Sequence, residues 1–250
     1  MRAVLLDLDD TLIEEEAHAR ALLRGTADLV DGIDSDTWDD VVIDSARSLW
    51  RASEHYPVFR ELGMASWEGL WATFDGVHSC LEGVARWAPW YRGEAWRSAL
   101  RALGQDAGVA DILSECYIEG QRSGHPVLPG AVELVRQLSG EVPVGVLTNG
   151  PPDIQRLKIE QAGIGPYLSA VVISGEIGIG KPDPTAFRTA LGLIGTSPDH
   201  AVMVGDSWER DVEGALDAGM RAVWISHGRP APSSDARVSV AFGPRDVALP

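Results

Sequence analysis

The sequence predicts an α/β protein whose parallel sheet is covered by helices on both faces and carries an inserted block of helices. Short apolar runs recur at the start of the chain and again beyond residue 126, where helical patterns alternate with them. Such alternation is typical of parallel sheets enclosed between two helical layers. Between the first strand and the others lies a long stretch with the three- and four-residue apolar spacing of amphipathic helices.

The first strand is predicted at Ala3–Leu6, a short apolar run that suits a buried strand. Helical spacing then dominates as far as about Gly124, for example over residues 14–23 and 94–103. This stretch holds seven of the nine tryptophans. We expect most of them to pack inside a helical bundle, and one or two to line a substrate entrance.

Beyond residue 126 the elements alternate regularly. Strands are predicted at 142–147, 170–173, 200–204 and 221–225, with an edge strand at 238–242. Helices are predicted to end near Leu138 and Ala162 and to cover 187–193 and 212–218. Glycine follows two of these helices, at positions 163 and 219, where it ends a helix readily.

The overall composition limits the classes of partner and the cellular compartment that we expect. A chain of 250 residues can form one large domain or two modest ones, and its net charge of −16 disfavours nucleic acid or an anionic membrane. Cys80 and Cys116 cannot form a disulfide framework and lack zinc-type spacing. Neither a signal peptide nor a membrane-spanning run is recognisable. We therefore expect a cytoplasmic protein, monomeric or homodimeric, that acts on a small molecule.

Two acidic residues follow the first strand directly. Because side chains alternate along a strand, Asp7 and Asp9 can point to the same side. Like charges held so close are unfavourable unless a cation or a shared proton relieves them. An acidic turn that merely ends a strand would give the same pattern. The rest of the chain therefore has to distinguish a functional acid pair from an ordinary turn.

Further polar groups follow other predicted strands. Thr148 and Asn149 precede a helix, where backbone amides can bind an anion or where the pair simply caps the helix. Lys181 lies before a proline, which restricts its backbone, although loop lysines are usually solvated. Asp206 could ligate Mg²⁺, and Asp211 could assist it or complement a helix dipole. Strand ends of one parallel sheet converge on one crevice, so the ordered set is more specific than any member.

The four motifs together resemble those of the haloacid dehalogenase superfamily of hydrolases. They are Asp7-Leu8-Asp9-Asp10-Thr11, Leu147-Thr148-Asn149-Gly150, Lys181-Pro182, and Gly205-Asp206-Ser207 through Asp211. The resemblance implies a Rossmann-like catalytic core formed by residues 1–13 and 126–250. It also implies that residues 14–125 form a helical cap domain that determines substrate specificity.

The resemblance further implies roles for these residues. Asp7 would be the nucleophile and Asp9 the general acid and base. Thr148, the Asn149 amide and Lys181 would hold the phosphoryl group. Mg²⁺ would be bound by Asp7, the Asp9 carbonyl and Asp206, with Asp211 completing the metal site or orienting Lys181.

The expected activity is therefore Mg²⁺-dependent hydrolysis of a small phosphate ester through an aspartyl-phosphate. A 2-haloacid dehalogenase is the first alternative, but by resemblance dehalogenases dispense with a carboxylate at the position of Asp9. A phosphomutase is not excluded by the sequence. A catalytically silent binding protein is disfavoured because the set from Asp7 to Asp211 is intact.

Overall fold

A computed structural model describes residues 3–249 as an α/β fold with one parallel sheet, as the sequence predicts. Its strands are β1 Ala3–Leu6, β2 Val144–Thr148, β3 Ala170–Ile173, β4 Ala201–Gly205, β5 Arg221–Ile225 and β6 Val238–Ala241. The spatial order is β3-β2-β1-β4-β5-β6, and every neighbouring pair is parallel. Strand β1 therefore lies in the middle, between β2 and β4.

Ten α-helices accompany the sheet within residues 3–249. Five lie between β1 and β2: α1 Glu16–Thr26, α2 Ser35–Ala52, α3 Tyr56–Leu62, α4 Glu82–Ala102 and α5 Ala110–Ser123. Five follow: α6 Ala131–Ser139, α7 Pro152–Gln161, α8 Ser174–Ile177, α9 Pro184–Ile194 and α10 Gly214–Asp217. Each helix in this part of the chain is too short or too polar to cross a membrane.

Two apolar clusters cover the two faces of the sheet. Because side chains alternate along β1, Val4 and Leu6 belong to the cluster that includes α6, whereas Leu5 belongs to the cluster that includes α9. A third cluster is formed almost entirely by residues between 23 and 117, joined by Ile154 of α7. Most of the buried tryptophans belong to this third cluster, in agreement with the expected helical bundle.

Most element boundaries agree with the sequence patterns to within about one residue, including those of β4 and β6, and two differences are larger. Strand β2 begins at Val144 rather than at 142, after a proline that has no N–H to donate. The helix expected at 212–218 is preceded by a π-helical turn, Trp208–Glu213. The carbonyl of Ser207 accepts from the N–H groups of both Asp211 and Val212, which widens this turn.

Candidate active site

The carboxyl ends of β1, β2 and β4 bring the polar motifs together. Asp7 follows β1, Thr148 ends β2 and Asp206 follows β4, and these three strands are neighbours in the sheet. All three residues line one cavity of about 130 Å³, together with Asn149, Lys181 and Asp211. The structure thus places every residue of the sequence-derived site, including Asp9, around one cavity.

The Asp7 carboxylate is buried and held from both sides. Lys181 Nζ donates to its Oδ1 at 2.5 Å, and the Thr11 hydroxyl donates to its Oδ2 at 3.1 Å. Burial raises the pKa of Asp7 to about 8, against the lowering effect of Lys181 and with a further raising effect of Asp211 and Asp206. A cation beside Asp7 would lower this pKa and stabilise the carboxylate as an ionised nucleophile.

Lys181 links the first and last motifs. Its Nζ is 2.5 Å from Asp7 Oδ1 and 2.6 Å from Asp211 Oδ1. Burial works to lower the pKa of Lys181, but the carboxylates of Asp211 and Asp7 raise it above its ordinary value. Lys181 is therefore a fixed positive charge beside the candidate nucleophile. Its peptide bond to Pro182 is cis.

Asn149 sets the backbone of Lys181. The Asn149 side chain donates to the Lys181 carbonyl at 2.8 Å and accepts from the Lys181 N–H at 2.9 Å. The expected set of exposed amides at a helix N-terminus is only partly present, because α7 begins later, at Pro152. The Gly150 N–H donates to the Ser174 hydroxyl at 2.9 Å and is already satisfied.

Asp211 makes contacts that fit an orienting role. One oxygen accepts from Lys181, and the other accepts from the Ser207 N–H at 2.9 Å. The residue is nearly inaccessible, at 1% exposure. Gly205 makes this packing feasible, because a Cβ there would lie 2.3 Å from the Asp211 carboxyl group.

The acids Asp7, Asp206 and Asp211 meet the geometric requirement of a divalent cation site. Each offers an oxygen, and these oxygens lie within 4.8 Å of one another. Burial and then Asp211 raise the pKa of Asp206 to about 6, although Arg229 lies 3.2 Å from its carboxylate. Hard carboxylate oxygens crowded in this way suit Mg²⁺, so the residues fit the expected ion. The Asp9 carboxylate does not belong to this cluster.

Asp9 is instead held by α7. Its Oδ1 accepts from Lys158 Nζ at 3.0 Å, and its Oδ2 accepts from Gln155 Nε2 at 2.7 Å. Both donors are fully buried. The Asp9 carboxylate is therefore fixed as a hydrogen-bond acceptor beside the cavity.

Sequence reasoning missed a buried charged group around Lys158. Lys158 Nζ lies 2.6 Å from Glu15 Oε2, and burial works to lower its pKa but is outweighed by Asp9, Glu15 and Glu68. Burial raises the pKa of Glu15 to about 7 and that of Glu68 to about 8. The available signal was the position of Gln155 and Lys158 on the buried stripe of α7, where Ile154 and Ile159 also lie.

The segment after α3 closes the cavity from the helical side. Gly63, Ala65, Trp67 and Glu68 all line it. Trp67 lines the cavity, and its expected place at a substrate entrance stays a prediction. The Ser174 hydroxyl, which accepts from the Gly150 amide, donates to the Leu62 carbonyl at 2.7 Å. The helical segment therefore directly contacts the residues that follow β3, and through Ser174 it is linked to the loop after β2.

Comparison with known proteins agrees with this geometry. Residues 1–219 match the model of the haloacid dehalogenase-like hydrolases. A phosphoserine phosphatase of Thermus thermophilus is 38% identical over 95% of both chains. The human N-acylneuraminate-9-phosphatase is 30% identical over 90% of this chain and 83% of its own length.

Solved structures agree on the fold. The HAD-hydrolase YfnB of Bacillus subtilis, in a crystal form bound to magnesium, matches with a TM-score of 0.67 at 20% identity, covering 98% of this chain and 95% of that one. A 2-haloacid dehalogenase of Pseudomonas syringae matches with a TM-score of 0.61 at 23% identity, over 98% and 95%. The hydrolase class and the phosphatase type expected from the sequence are consistent with the named relatives. The chain belongs to the haloacid dehalogenase-like hydrolases.

Proposed function

We propose that the protein is a Mg²⁺-dependent phosphomonoester hydrolase that acts on a small phosphorylated metabolite through an aspartyl-phosphate on Asp7. The observation that carries the proposal is the placement of the Asp7 carboxylate, which faces the cavity while Lys181 and Thr11 fix its two oxygens. A fixed carboxylate beside a fixed cation suits attack on an anionic phosphoryl group.

Each step of the proposed hydrolysis can be assigned to residues of this chain. A carboxylate oxygen of Asp7 bonds to phosphorus as the bond from phosphorus to the leaving oxygen breaks. Asp9 in its protonated form gives its proton to that oxygen. A water then attacks phosphorus and the bond from phosphorus to Asp7 breaks, which frees phosphate, while Asp9 as a carboxylate takes a proton from that water. Lys181, the Thr148 hydroxyl and the Asn149 amide hold the phosphoryl oxygens, because phosphoryl transfer depends mainly on positioning and charge stabilisation.

Magnesium fits the acidic side of this site. Asp7, Asp206 and the Asp9 backbone carbonyl would hold it, and Asp211 would orient Lys181 or complete the set. The ion would supply positive charge for the phosphoryl oxygens and relieve the repulsion among the buried acids.

Residues 14–125 are proposed to form the cap domain, and residues 1–13 and 126–250 the catalytic core. The separate apolar cluster of the helical segment supports this division. The contacts of Glu68 with Gln155 of α7 and of the Leu62 carbonyl with Ser174 of α8 support a cap that closes over substrate and excludes water, hinged near 11–14 and 124–126.

The size of the cavity favours a substrate with a small leaving group. Its volume of about 130 Å³ is well below the roughly 300–1,000 Å³ of pockets for drug-sized ligands. A phosphoserine-sized ester fits this volume better than a nucleotide does. The name of the Thermus relative also favours phosphoserine as the first substrate to test. The cytoplasmic setting expected from the sequence stays a prediction.

The test is a panel of phosphate esters assayed with Mg²⁺ on the wild type and on Asp7→Asn. Phosphoserine, sugar phosphates, N-acylneuraminate 9-phosphate and pyrimidine nucleotides would be ranked by kcat/KM. We expect phosphate release that stops with EDTA and with Asp7→Asn. Halide release from a 2-haloacid in place of phosphate release would favour the dehalogenase alternative, and phosphoryl transfer to a second substrate would favour the mutase.

A further inference from the structure

One face of helix α7 carries two donors that both point to the same carboxylate. Gln155 and Lys158 are three positions apart, so their side chains lie on the same side of the helix. Gln155 Nε2 donates to Asp9 Oδ2 at 2.7 Å, and Lys158 Nζ donates to Asp9 Oδ1 at 3.0 Å. Each oxygen of the carboxylate therefore has its own donor.

The two donors are themselves fixed by other buried groups. Gln155 Nε2 also lies 2.9 Å from the Asn149 carbonyl and 3.3 Å from Glu68 Oε1. Lys158 Nζ also contacts Glu15 Oε2 at 2.6 Å. Because both side chains are fully buried, neither can relax into solvent, and the direction of the Asp9 carboxylate follows from the position of α7.

Neither donor lines the cavity, whereas Asp9 does. Gln155 and Lys158 thus stand behind Asp9 with respect to the space that a substrate would occupy. They can affect a reaction through Asp9, and they have no surface of their own for a leaving group to touch.

We propose that Gln155 and Lys158 are positioning residues that orient the Asp9 carboxyl group for proton transfer to and from the substrate. The inference rests on the proposed function, because it assigns them a part in the same reaction. When the bond from phosphorus to the leaving oxygen breaks, the proton on Asp9 moves to that oxygen. When water attacks the phosphorus of the aspartyl-phosphate, the bond from phosphorus to Asp7 breaks and a proton of the water moves to Asp9. Both transfers require the carboxyl group within hydrogen-bonding reach of the reacting oxygen.

A purely structural role makes a different prediction about the leaving group. An alkoxide is a poor leaving group and needs the proton from Asp9, whereas p-nitrophenolate leaves without one. Misplacing Asp9 should therefore slow the first chemical step with an alkyl ester far more than with p-nitrophenyl phosphate. General distortion of the site would slow that step for both esters alike.

The experiment measures the first step by rapid quench, using Gln155→Leu and Lys158→Met with phosphoserine and p-nitrophenyl phosphate under single-turnover conditions. We expect the rate of alcohol release from phosphoserine to fall by about 100-fold or more, since a positioned acid contributes roughly 10²–10⁴. The rate of p-nitrophenolate release should fall by less than about fivefold. Arg156→Met is the matched control, because Arg156 lies on the same helix, is exposed and pairs with Glu176.

Equal losses with the two esters, or no loss with either, would overturn the inference and leave the proposed hydrolase activity intact. If the wild type hydrolysed neither ester nor any other member of the panel, the proposed function itself would be wrong. Gln155→Leu keeps the test decisive if Lys158→Met does not fold, because it removes a neutral group and leaves the Lys158–Glu15 pair in place.

Discussion

Asn149 and Lys181 hold each other through two hydrogen bonds that connect the loop after β2 to the loop before α9. The Asn149 amide donates to the Lys181 carbonyl at 2.8 Å, and its oxygen accepts from the Lys181 N–H at 2.9 Å. The Lys181 side chain then reaches Asp7 and Asp211. The distance between the lysine charge and the candidate nucleophile therefore depends on a side chain that touches neither carboxylate.

Asn149→Ala should lower kcat by about 10- to 100-fold. The substitution leaves the buried N–H and carbonyl of Lys181 without partners, which costs about 1–3 kcal/mol for each group and frees the loop to move. Steady-state kinetics with the best ester of the panel measure the effect, and Gln137→Ala, which removes an exposed amide from α6, is the control. A kcat within twofold of wild type would mean that the Lys181 loop is held by other contacts.

Gly63→Ala should lower kcat/KM by at least about tenfold, whereas Gly32→Ala should stay within about twofold. Both glycines have left-handed backbones, with φ of +66° and +72°, so alanine carries a similar conformational cost at each. Only at Gly63 would the new Cβ collide with the site, 2.2 Å from Asn149 Nδ2, whereas Gly32 has open space around it. Equal kinetic losses in the two variants would contradict the close contact between Gly63 and Asn149.

The metal-free protein should lose stability as the pH rises from about 5 to 9. Burial raises the pKa of Asp7 and Glu68 to about 8, that of Glu15 to about 7 and that of Asp206 to about 6. Across this range the folded state retains protons that the unfolded state has already released, so the free energy of unfolding falls as the pH approaches 8. The contribution is complete below the unfolded pKa values of these acids, near pH 4.

Thermal melting in EDTA measures this effect. We expect the Tm at pH 9 to lie about 4 °C or more below that at pH 6, which corresponds to roughly 1–2 kcal/mol for a chain of this size. Adding Mg²⁺ at pH 8 should raise the Tm of the wild type by mass action and should raise that of Asp206→Asn much less. A Tm that rises steadily from pH 6 to pH 9 in EDTA would show that these acids do not retain protons in the folded state.

The sequence was sufficient to predict the site residues that lie at the ends of strands. Asp7, Thr148 and Asp206 each come directly after or at the end of an apolar run, and in a parallel sheet such positions converge whatever the intervening chain does. Strands β1, β3 and β5 have the predicted bounds, and each apolar run is followed directly by a polar residue, Asp7, Ser174 or Ser226.

The charged group behind Asp9 was not predictable in the same way. Glu15, Glu68 and Lys158 come from three distant parts of the chain, and their pairing depends on how the helical segment packs on the core. Periodicity marks Lys158 as lying on the buried stripe of α7, but it does not identify the carboxylates that Lys158 meets. For Asn149, likewise, the sequence suggests a role only for the backbone amide. The two hydrogen bonds between its side chain and the Lys181 backbone depend on how the two loops meet in the fold.

The most direct test of the account is to trap the phosphorylated enzyme. Wild-type protein would be mixed with a ³²P-labelled ester and Mg²⁺, quenched in acid within one turnover, digested, and the labelled peptide sequenced. We expect a hydroxylamine-sensitive label on Asp7 that forms and decays at rates compatible with kcat and is missing from Asp7→Asn. Turnover of the ester by wild type and Asp7→Asn at the same rate, with no label on the Asp7 peptide, would contradict it.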